Sequence, residues 1–591
     1  MSVALAFLIR FETYDSAQFI GYIPIIKSHI IQIVLMKLFV YYIMNIYHSI
    51  WKYASIPEVV QIIVAATIGN FAMITYFTVL QITLPRSIYL LILILDIALI
   101  GASRFASRTG AIFKAFLQTQ GNFKRIMIIG AGQAGSLIIK EFSQHLELKS
   151  KPVALIDDDL QKQGKNIGGV KVVGTREDIF KVAKQYDIDE IIIAIPTITK
   201  KELQNIYMEC QKTDCKVKKV PGIYELIDGK VDIREIKEVD IEDLLGRDEI
   251  HLNINAINSY IYNRTVLVTG GGGSIGSELC RQIIEFNPKE LIILDISENN
   301  IYHILNELRR KYPMSTITPI IASVRDEVRI YDVFDKYHPD VVFHAAAHKH
   351  VPLMELNPHE AIKNNVFGTF NVVKAANKYN SKRFILISTD KAVNPTNIMG
   401  ATKRIAEMII QTYDKKSKTE YAAVRFGNVL GSNGSVVPLF KKQIELGGPI
   451  TVTHPDITRF FMTIPESVQL VIQAGSMAKG GEIFVLDMGS PVKILDLAEN
   501  LIKLSGFEPY EDIDIQFIGL RPGEKLYEEL LMDEEGLQKT DNSTIFVGHP
   551  LDLNFDELCS QLKDLRAYID NDTREMIKKV KNIVPTYKNG D

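Results

Sequence analysis

A hydroxyl, a carboxyl and an amine follow one another at Thr389, Asp390 and Lys391, directly after the apolar segment RFILIS. Side chains of these types act as general acids and bases, so the triplet is a candidate for proton transfer. Met399 and Lys403 stand one helical turn apart on the next segment and share a face of the predicted helix. A thioether has no acidic proton, so Met399 itself contributes no proton transfer.

The alternative for this triplet is a simple ion pair between Asp390 and Lys391 on a surface loop. The surrounding elements argue against that alternative. The segment RFILIST (Arg383 to Thr389) predicts a buried strand that ends at the triplet. Ligands of parallel α/β sheets bind outside the carboxyl ends of the strands, which makes this position a functional one.

A glycine-rich turn in RTVLVTGGGGSIGSELCRQI, between an apolar run and a helical segment, predicts a second part of the same site. The following segment LIILD ends in an acid at the spacing typical of dinucleotide-binding folds. The carboxylate of this acid, Asp295, would accept hydrogen bonds from both hydroxyls of the adenosine ribose and would repel a 2′-phosphate. NAD is therefore favoured over NADP as the cofactor. The next strand, VVFHAAAHKHVP, has small residues where the backbone would run along the cofactor. The expected cofactor-binding residues are Gly270, Gly273, Ser274, Ile275, Gly276, Asp295, Ala345 and Ala346.

Residue types that bind metals occur without the pattern of a metal site. His344, His348 and His350 crowd the end of one predicted strand, but no acid or cysteine stands near them in the sequence. We expect loop packing or substrate contact from these histidines, and no metal. The four cysteines (Cys210, Cys215, Cys280 and Cys559) are too few for a disulfide framework and are expected to be reduced and structural.

A second glycine-rich turn lies earlier in the chain, in KRIMIIGAGQAGSLIIKEF, with glycines at Gly130, Gly132 and Gly135. The strand PVALIDDD then reaches Asp157, and EIIIAIP and CKVKKVP predict further strands. Residues 124–240 are therefore expected to form a Rossmann-like unit. No catalytic residue types follow its strands, so a nucleotide-binding or sensing role and a structural linker role both stay open.

Apolar residues concentrate at the start of the chain, within a sequence of 591 residues that is 47% hydrophobic and 23% charged. Three segments near spanning length predict transmembrane helices at His29–Tyr47, Val59–Ile82 and Ser87–Ala102. The start, MSVALAFLIRFE, is expected to be a short helix or the remainder of a longer one. The anchor is therefore expected to cover residues 1–103. A formal net charge of −3 gives no argument for a nucleic-acid partner.

Two features of the anchor concern its charges. Arg104, Arg108 and Lys114 follow the last span, which places this side in the cytoplasm by the positive-inside rule. Lys37 and Asp96 lie inside predicted spans, where a functional polar site is one interpretation. Snorkelling or helix–helix pairing within a simple anchor is the favoured one, because no transporter-like repeat is visible.

Five segments together resemble one family: TGGGGSIGSELCRQ, HAAAHKHVPLME, STDKAVNPTNIMGATKR, RFGNVLGSNGSVVPLF and RPGEKLYEEL. Residues 263–550 are similar to extended short-chain dehydrogenases that act on nucleotide sugars. With the anchor and the first Rossmann-like unit included, the chain resembles the membrane-bound UDP-N-acetylglucosamine 4,6-dehydratases of bacterial surface-polysaccharide and protein-glycosylation pathways. The resemblance implies an α/β fold with two doubly wound parallel sheets and a smaller substrate-binding part. The polar, helical pattern of residues 551–591 predicts a helical tail. The chain departs from the family at its start, where four full spans are usual.

The reaction that this resemblance implies is redox-neutral. NAD accepts hydride from C4 of the sugar, water is lost across C5 and C6, and the hydride returns to C6. Lys391 is then the base at C5, and Asp390 is the acid at the C6 oxygen and the acceptor of the C4 hydroxyl proton. Thr389 hydrogen-bonds the C4 oxygen, and Lys403 holds the nicotinamide ribose. Met399, at the position of the usual catalytic tyrosine, is an apolar wall. Lys391 must be neutral to act, so we expect a lowered pKa.

The same resemblance implies the substrate-binding residues and the partners. Asn428 and Arg459 are expected near the diphosphate and sugar, and Arg521 and Glu524 near the diphosphate or the uridine ribose, although each could be a structural salt bridge instead. Lys349 and His350 are further candidates. The implied partners are UDP-N-acetylglucosamine, the bilayer and further copies of the chain. The expected place is the bacterial cytoplasmic membrane, with the catalytic domains in the cytoplasm.

Two rival functions stay open. A C4 epimerase needs only the first hydride step and normally keeps its tyrosine, so the Thr-Asp-Lys triplet argues against it. A membrane-tethered nucleotide or redox sensor with an inactive dehydrogenase domain would explain Met399 alone. It would not explain the intact triplet, Lys403 and the glycine-rich turn.

Overall fold

The structure is a computed structural model of the chain. It describes residues 2–11, 17–44, 46, 56–118, 123–145, 148–213, 215–220, 236–240, 243, 250, 252–529, 536–548, 553–570 and 572–588. The chain separates into two units, of which one contains Met1–Lys124 and Phe142–Lys151 and the other contains Arg125–Glu141 and Pro152–Asp591.

The described part of the N-terminal unit contains four helices: α1 (Ser2–Phe11), α2 (Ala17–Ile43), α3 (Ile56–Val79) and α4 (Arg86–Gln118). Among the described residues, three windows are long and apolar enough to cross a membrane: Pro24–Ile43, Val60–Val79 and Arg86–Ser103. All three predicted spans are therefore present, and they indicate a membrane-associated chain. The first begins earlier than His29, and α4 continues well beyond Ala102, so that it also carries the basic segment.

The two charged residues inside the spans pair with each other. The ammonium of Lys37 in α2 donates to Asp96 in α4 over 2.5 Å, and their side chains are only 9% and 8% exposed. Helix–helix pairing is thus the interpretation that the structure supports for these two residues. An unpaired charge is costly in hydrocarbon, so each residue makes the other tolerable there.

The first α/β domain follows, with a central sheet and three described helices between its strands. Its strands are β1 (Lys124–Ile129), β2 (Ser150–Ile156), β3 (Asn166–Ile167), β4 (Val170–Gly174), β5 (Glu190–Ile193), β6 (Lys216–Lys219) and β7 (Lys237–Glu238). Its helices are α5 (Gln133–Gln144), α6 (Ile179–Tyr186) and α7 (Lys200–Cys210). The sheet order is β3-β4-β2-β1-β5-β6-β7, and β1 pairs parallel with β5. The Rossmann-like interpretation of this segment is confirmed.

The second α/β domain is built on a larger sheet, for which the described residues give the order β10-β9-β8-β11-β12-β13-β18-β22-β21. Its parallel strands are β8 (Thr265–Thr269), β9 (Glu290–Asp295), β10 (Ile317–Ile321), β11 (Val341–His344), β12 (Arg383–Ile387), β13 (Glu420–Arg425) and β18 (Ile483–Leu486). β21 (Leu537–Lys539) and β22 (Ile545–Gly548) extend it antiparallel. The strand order reverses between β8 and β11, and ligands of such sheets bind at that point.

The helices of this domain cover both faces of its sheet. They are α8 (Ile254–Ile261), α9 (Ser274–Ile283), α10 (Glu298–Lys311), α11 (Glu327–Tyr337), α12 (Val351–Leu356), α13 (Pro358–Ala361), α14 (Thr369–Lys378), α15 (Ile398–Asp414), α17 (Ile464–Met477), α19 (Phe555–Tyr568) and α20 (Thr573–Ile583). The last two helices belong to the predicted helical tail, and Leu562 and Val580 join the core beneath α15.

A smaller part with its own core packs at the carboxyl ends of the large sheet. It contains β14 (Asn428–Val429), α16 (Val436–Glu445), β15 (Ile450–Val452), β16 (Thr458–Arg459), β17 (Phe461–Met462), β19 (Val492–Lys493), α18 (Ile494–Leu504) and β20 (Ile515–Phe517). Leu430, Phe440 and Leu501 are fully buried in this core. The predicted α/β architecture with a smaller second part is therefore confirmed, and the binding of substrate by that part stays a prediction.

Replacing one partner of the Lys37–Asp96 pair should destabilise the membrane unit. Lys37→Met leaves the Asp96 carboxylate without its cation, which costs roughly 3 kcal/mol for a buried pair. The thermal midpoint of the detergent-purified protein should fall, and the double change Lys37→Met with Asp96→Leu should restore most of it. Lys27→Met, on an exposed position of α2, is the matched control. An additive effect of the two changes would contradict the pairing.

Candidate active site

A cavity of about 630 Å³ opens between the carboxyl ends of the large sheet and the smaller part. The turn after β8 lines one side, the segments after β11 and β12 line the floor, and residues of the smaller part line the opposite wall. The reversal of strand order at β8 and β11 creates this crevice, because the connections after the two strands leave in opposite directions.

The glycine-rich turn after β8 leaves no room for side chains. Gly270 has a φ of +67°, and a Cβ there would lie 2.6 Å from the backbone nitrogen of Ala346. A Cβ at Gly276 would lie 2.0 Å from the carbonyl oxygen of Gly270. Gly273 caps α9, and Ser274 and Gly276 of its first turn line the cavity. The N–H groups of a first helical turn lack partners inside the helix, so this end of α9 suits a phosphate group.

The acid at the end of β9 is held by the backbone around it. Asp295 accepts hydrogen bonds from Gly272 N at 2.9 Å and from Ser297 N at 2.8 Å, and it is 9% exposed. Ala345 and Ile275 lie in the wall of the cavity, whereas Ala346 lies behind Gly270. Asp295 lies behind the turn and is not among the residues that line the cavity, whereas the turn and the start of α9 form a cradle in its wall.

The Thr-Asp-Lys triplet lies directly after β12, where Asp390 begins a short 3₁₀ turn. Thr389 lines the cavity and its hydroxyl donates to Oδ1 of Asp390 at 2.8 Å. Asp390 itself is completely buried, outside the cavity wall. Its Oδ2 has no hydrogen-bond partner among the described residues. The hydroxyl of Thr389 therefore stands between the cavity and the carboxyl group of Asp390.

Lys391 lines the cavity and is surrounded by oxygen atoms. Its Nζ donates to Asp390 Oδ1 at 3.0 Å and to Asn428 Oδ1 at 3.3 Å, and lies 3.5 Å from Glu528 Oε1. Burial alone would lower the pKa of Lys391, but the carboxylates of Asp390 and Glu528 outweigh it and hold the pKa above its ordinary value. The expectation of a lowered pKa is therefore wrong, because it ignored Glu528 and the strength of the pairing with Asp390.

Met399 and Lys403 occupy the first turns of α15, whose start is capped by Asn397. Met399 is 3% exposed and contributes an apolar surface to the cavity. Lys403 also lines the cavity, and its Nζ donates to the carbonyl oxygen of Ile387 at 2.6 Å. Burial lowers the pKa of Lys403 to about 8, although the charge of Glu407 opposes the effect.

The expected substrate-binding residues all meet in the cavity wall: Lys349, His350, Asn428, Arg459, Arg521 and Glu524. Arg459 lies 3.3 Å from Glu524 and also donates to the carbonyl oxygens of Lys525 and Leu526. It therefore takes part in structural contacts as well as facing the cavity. Burial lowers the pKa of Lys349, which a neighbouring diphosphate would reverse.

The three histidines do not converge. His344 is buried, with Nδ1 2.7 Å from the hydroxyl of Thr269 and Nε2 2.9 Å from that of Thr369. Burial, with a smaller contribution from the charge of Lys403, lowers the pKa of His344 to about 3. His348 and His350 both line the cavity. Among the described residues no cluster could hold a metal ion, and none of the four cysteines, all of which are described, is in a disulfide.

The earlier glycine-rich turn is explained by packing. A Cβ at Gly135 would lie 2.1 Å from the carbonyl oxygen of Gly130, which has a φ of +106°. Asp157 accepts from Ala131 N at 2.7 Å and pairs with Lys162 at 3.1 Å. These contacts account for Gly130, Gly135 and Asp157, whereas a Cβ at Gly132 would meet nothing within 4 Å.

Sequence reasoning missed two residues at the site. Glu528 contacts Lys391 although it lies far along the chain, in the same segment as Arg521. Ser435 lines the cavity at the N-terminal end of α16, and its buried hydroxyl has no partner among the described residues. The segment RPGEKLYEEL contained a signal for Glu528, because its glutamates outnumber the basic residues in the same segment. No signal in the sequence singled out Ser435.

Comparisons with known proteins agree with this architecture. Residues 266–550 match the family model described as "Polysaccharide biosynthesis protein", and residues 43–221 match one described as "CoA-binding domain". The chain is 48% identical to the capsular polysaccharide biosynthesis protein CapD of Staphylococcus aureus, over 86% of this chain and 85% of the relative. It is 45% identical to the probable polysaccharide biosynthesis protein EpsC of Bacillus subtilis, over 90% of this chain and 89% of that one.

A further relative is a UDP-glucose 4-epimerase of Rickettsia canadensis, which is 35% identical over 55% of this chain and 96% of its own length. CapD and EpsC, by contrast, match across most of their length and most of this chain. The chain therefore belongs to the polysaccharide biosynthesis protein family of CapD and EpsC, with the extended short-chain dehydrogenase fold of nucleotide-sugar enzymes.

Proposed function

We propose that the chain is an NAD-dependent 4,6-dehydratase that converts UDP-N-acetylglucosamine into a UDP-4-keto-6-deoxy-N-acetylhexosamine for polysaccharide or glycoprotein biosynthesis. The observation that carries this proposal is the acid–amine pair of Asp390 and Lys391, 3.0 Å apart, behind a hydroxyl that lines the cavity. Oxidation of a sugar hydroxyl needs one proton acceptor, whereas loss of water also needs a base for C5 and an acid for the leaving oxygen. The triplet supplies these groups.

The cradle after β8 supports NAD as the cofactor. Gly273, Ser274 and Gly276 would surround the pyrophosphate, and Asp295 would accept the hydroxyls of the adenosine ribose. Lys403 would lie beside the nicotinamide ribose. When bound, NAD supplies the acceptor for the C4 hydrogen and the donor that returns it to C6, so that the cofactor ends as it began.

The residues of the triplet then divide the proton transfers. The C4 hydroxyl proton passes through the Thr389 hydroxyl to Asp390, since Asp390 is buried behind it. Neutral Lys391 removes the C5 proton, which the ketone at C4 has made acidic. Asp390 returns its proton through Thr389 to the C6 oxygen, which leaves as water, and Lys391 finally protonates C5. Met399 excludes water from this face of the sugar.

The cations of the cavity wall support a nucleoside diphosphate as the other half of the substrate. Lys349, Arg459 and Arg521 would face the diphosphate, together with the hydroxyl of Ser435 at the start of α16. Asn428 and His350 would contact the sugar, and Glu524 would accept hydrogen bonds from ribose hydroxyls. The anchor and the basic segment after the last span support a place in the bacterial cytoplasmic membrane, with both α/β domains in the cytoplasm and the chain in a homo-oligomer.

The relative named as a UDP-glucose 4-epimerase keeps C4 epimerisation as a second candidate function. Epimerisation requires no base at C5 and no acid at C6. It would leave the Asp390–Lys391 pair and the buried carboxyl of Glu528 without a role.

The first prediction is that the purified full chain removes one water molecule from UDP-N-acetylglucosamine. The mass of the nucleotide sugar should fall by one water, and in D₂O one deuterium should enter at C5, because Lys391 exchanges its protons with solvent before it protonates that carbon. Mass spectrometry and NMR of the product check both. An unchanged mass with inversion at C4 would identify an epimerase, and an unaltered substrate would favour the sensor.

The second prediction concerns the cofactor. A redox-neutral cycle gives no reason to release the nucleotide, so the purified chain should carry NAD and turn over without added cofactor. Denaturation followed by chromatography of the released nucleotide checks this. Asp295→Asn, which keeps the size of the side chain and loses its charge, should reduce the NAD content and relax the discrimination against NADP. NADP in the parent protein would show that Asp295 does not contact the ribose.

The third prediction separates Met399 from the triplet. Asp390→Asn keeps the shape of the side chain but cannot carry a proton, so kcat should fall on the order of a hundredfold to ten-thousandfold. Lys391→Met should be equally severe and should abolish deuterium entry at C5. Met399→Ala removes only packing and should cost about tenfold in kcat. Equal losses for Met399→Ala and Asp390→Asn would contradict the assignment.

A further inference from the structure

Glu528 is a buried acid at the site to which the proposed reaction has so far given no role. Its side chain is 4% exposed, and its Oε1 lies 3.5 Å from the Nζ of Lys391 and 3.7 Å from the Nε of Arg459. Its Oε2 is buried and has no hydrogen-bond partner among the described residues. Glu528 thus joins the amine of the triplet to a cation of the substrate-binding wall.

The positive charge of Lys391 prevents it from acting as a base, and Glu528 can accept the proton that carries this charge. The described residues offer three acceptors around Nζ, one each from Asp390, Asn428 and Glu528, which matches the three N–H groups of an ammonium. An ammonium has no lone pair, so Lys391 must lose one proton before it can remove the proton of C5. An amide cannot accept that proton. In the proposed reaction Asp390 accepts the proton of the C4 hydroxyl, so among these three acceptors Glu528 is left.

We propose that Glu528 is a positioning residue that accepts the proton of Lys391 when a substrate diphosphate binds Arg459. This inference rests on the proposed dehydratase function and states how its base, Lys391, becomes neutral. One N–H bond of Lys391 breaks and one O–H bond forms on Oε1 of Glu528. An ion pair thereby becomes two neutral groups, and no other reactant is needed. The proton returns to Lys391 when the product leaves.

Arg459 provides the link to the substrate. It lines the cavity, is 8% exposed and faces Glu524 and Glu528. Its guanidinium also donates to the carbonyl oxygens of Thr458, Leu526 and Lys525, so a phosphate that binds Arg459 must replace one of these contacts. The charged groups that face Glu528 are Lys391 and Arg459, and those that face Lys391 are Asp390, Glu528 and Arg459.

A diphosphate that also binds Arg459 weakens the attraction between Arg459 and Glu528. The Oε2 of Glu528 is buried and has no partner among the described residues, and a buried carboxylate with too few hydrogen bonds is costly. The nearest proton donor is Lys391. Lys391 thus becomes a base only when a nucleotide is present, which protects the free site from unproductive proton transfer.

The test compares Glu528→Gln with the parent across pH. Glutamine keeps the shape of the side chain but cannot accept the proton, which must then leave to solvent. In the parent the transfer is internal, so kcat should change little between about pH 6.5 and 8.5. In Glu528→Gln, kcat should be lower on the order of tenfold to a hundredfold near pH 7 and should rise close to tenfold per pH unit, because the Asp390 carboxylate still favours the ammonium form of Lys391, which then loses its proton only as the pH rises.

Two further variants make this result specific. Glu529→Gln is the matched control, since Glu529 is its neighbour, is 53% exposed and pairs with Lys525 outside the cavity. Its pH profile should match the parent. Glu528→Asp retains an acceptor and should retain the flat profile at a reduced kcat. A pH-independent loss in Glu528→Gln, or a parental profile, would overturn the proton transfer and leave Glu528 a structural role.

A second measurement does not depend on turnover. A neutral amine reacts with acetic anhydride and an ammonium does not, so labelling of Lys391 can be followed by mass spectrometry against the exposed Lys578. UDP at saturation should raise the labelling rate of Lys391 several-fold in the parent and leave it unchanged in Glu528→Gln. No increase in the parent would overturn the inference even if the enzyme dehydrates its substrate. Failure of dehydration with an intact UDP effect would overturn the proposed function instead.

Discussion

The ion pair of Lys391 and Asp390 stands where a carboxyl group is completely buried and an amine is 18% exposed. Water solvates such charges poorly there, so the protein must hold the two groups in contact. Three elements do this. β12 delivers the triplet, Asp390 N donates to the carbonyl oxygen of Phe426 after β13, and α15 approaches so closely that a Cβ at Gly400 would lie 2.2 Å from the carbonyl oxygen of Lys391. The sheet and helix are thus arranged around this contact.

A second set of buried charges lies beneath the triplet and holds together the elements that carry it. Glu407 of α15 is fully buried and accepts from Arg425 of β13 at 2.7 Å and from the hydroxyl of Ser388 at 2.7 Å. Arg404 adds a contact of 3.0 Å to the same carboxylate. These partners lower the pKa of Glu407 to about 2 in spite of burial, which alone would raise it. Because removal of one partner would leave a buried charge, the network binds the ends of β12 and β13 firmly to α15.

The sequence predicted the parts of this molecule that depend on local pattern. The spans, both glycine-rich turns and the strands that follow them were found because apolar runs and glycines report backbone geometry directly. The cavity wall was also anticipated, since Asn428, Arg459 and Arg521 stand in motifs with a known place in the fold. What the sequence could not give was the charge of Lys391. That charge depends on Glu528, which lies more than a hundred residues further along the chain and meets the triplet only after folding.

The burial of Asp390 behind Thr389 could not be predicted either, because the sequence does not say which way each side chain of a tight turn points. It matters for the methionine that stands in place of a tyrosine. Lys403 does not face a phenol here; it donates to the carbonyl oxygen of Ile387, at the end of the strand that carries the triplet. Lys403, which would act on the pKa of a tyrosine at position 399, thus hydrogen-bonds the end of β12 instead. With Met399 apolar and Lys403 bonded to the strand, the acid and the amine that meet at the end of β12 are those of the triplet, and Glu528 lies 3.5 Å from that amine.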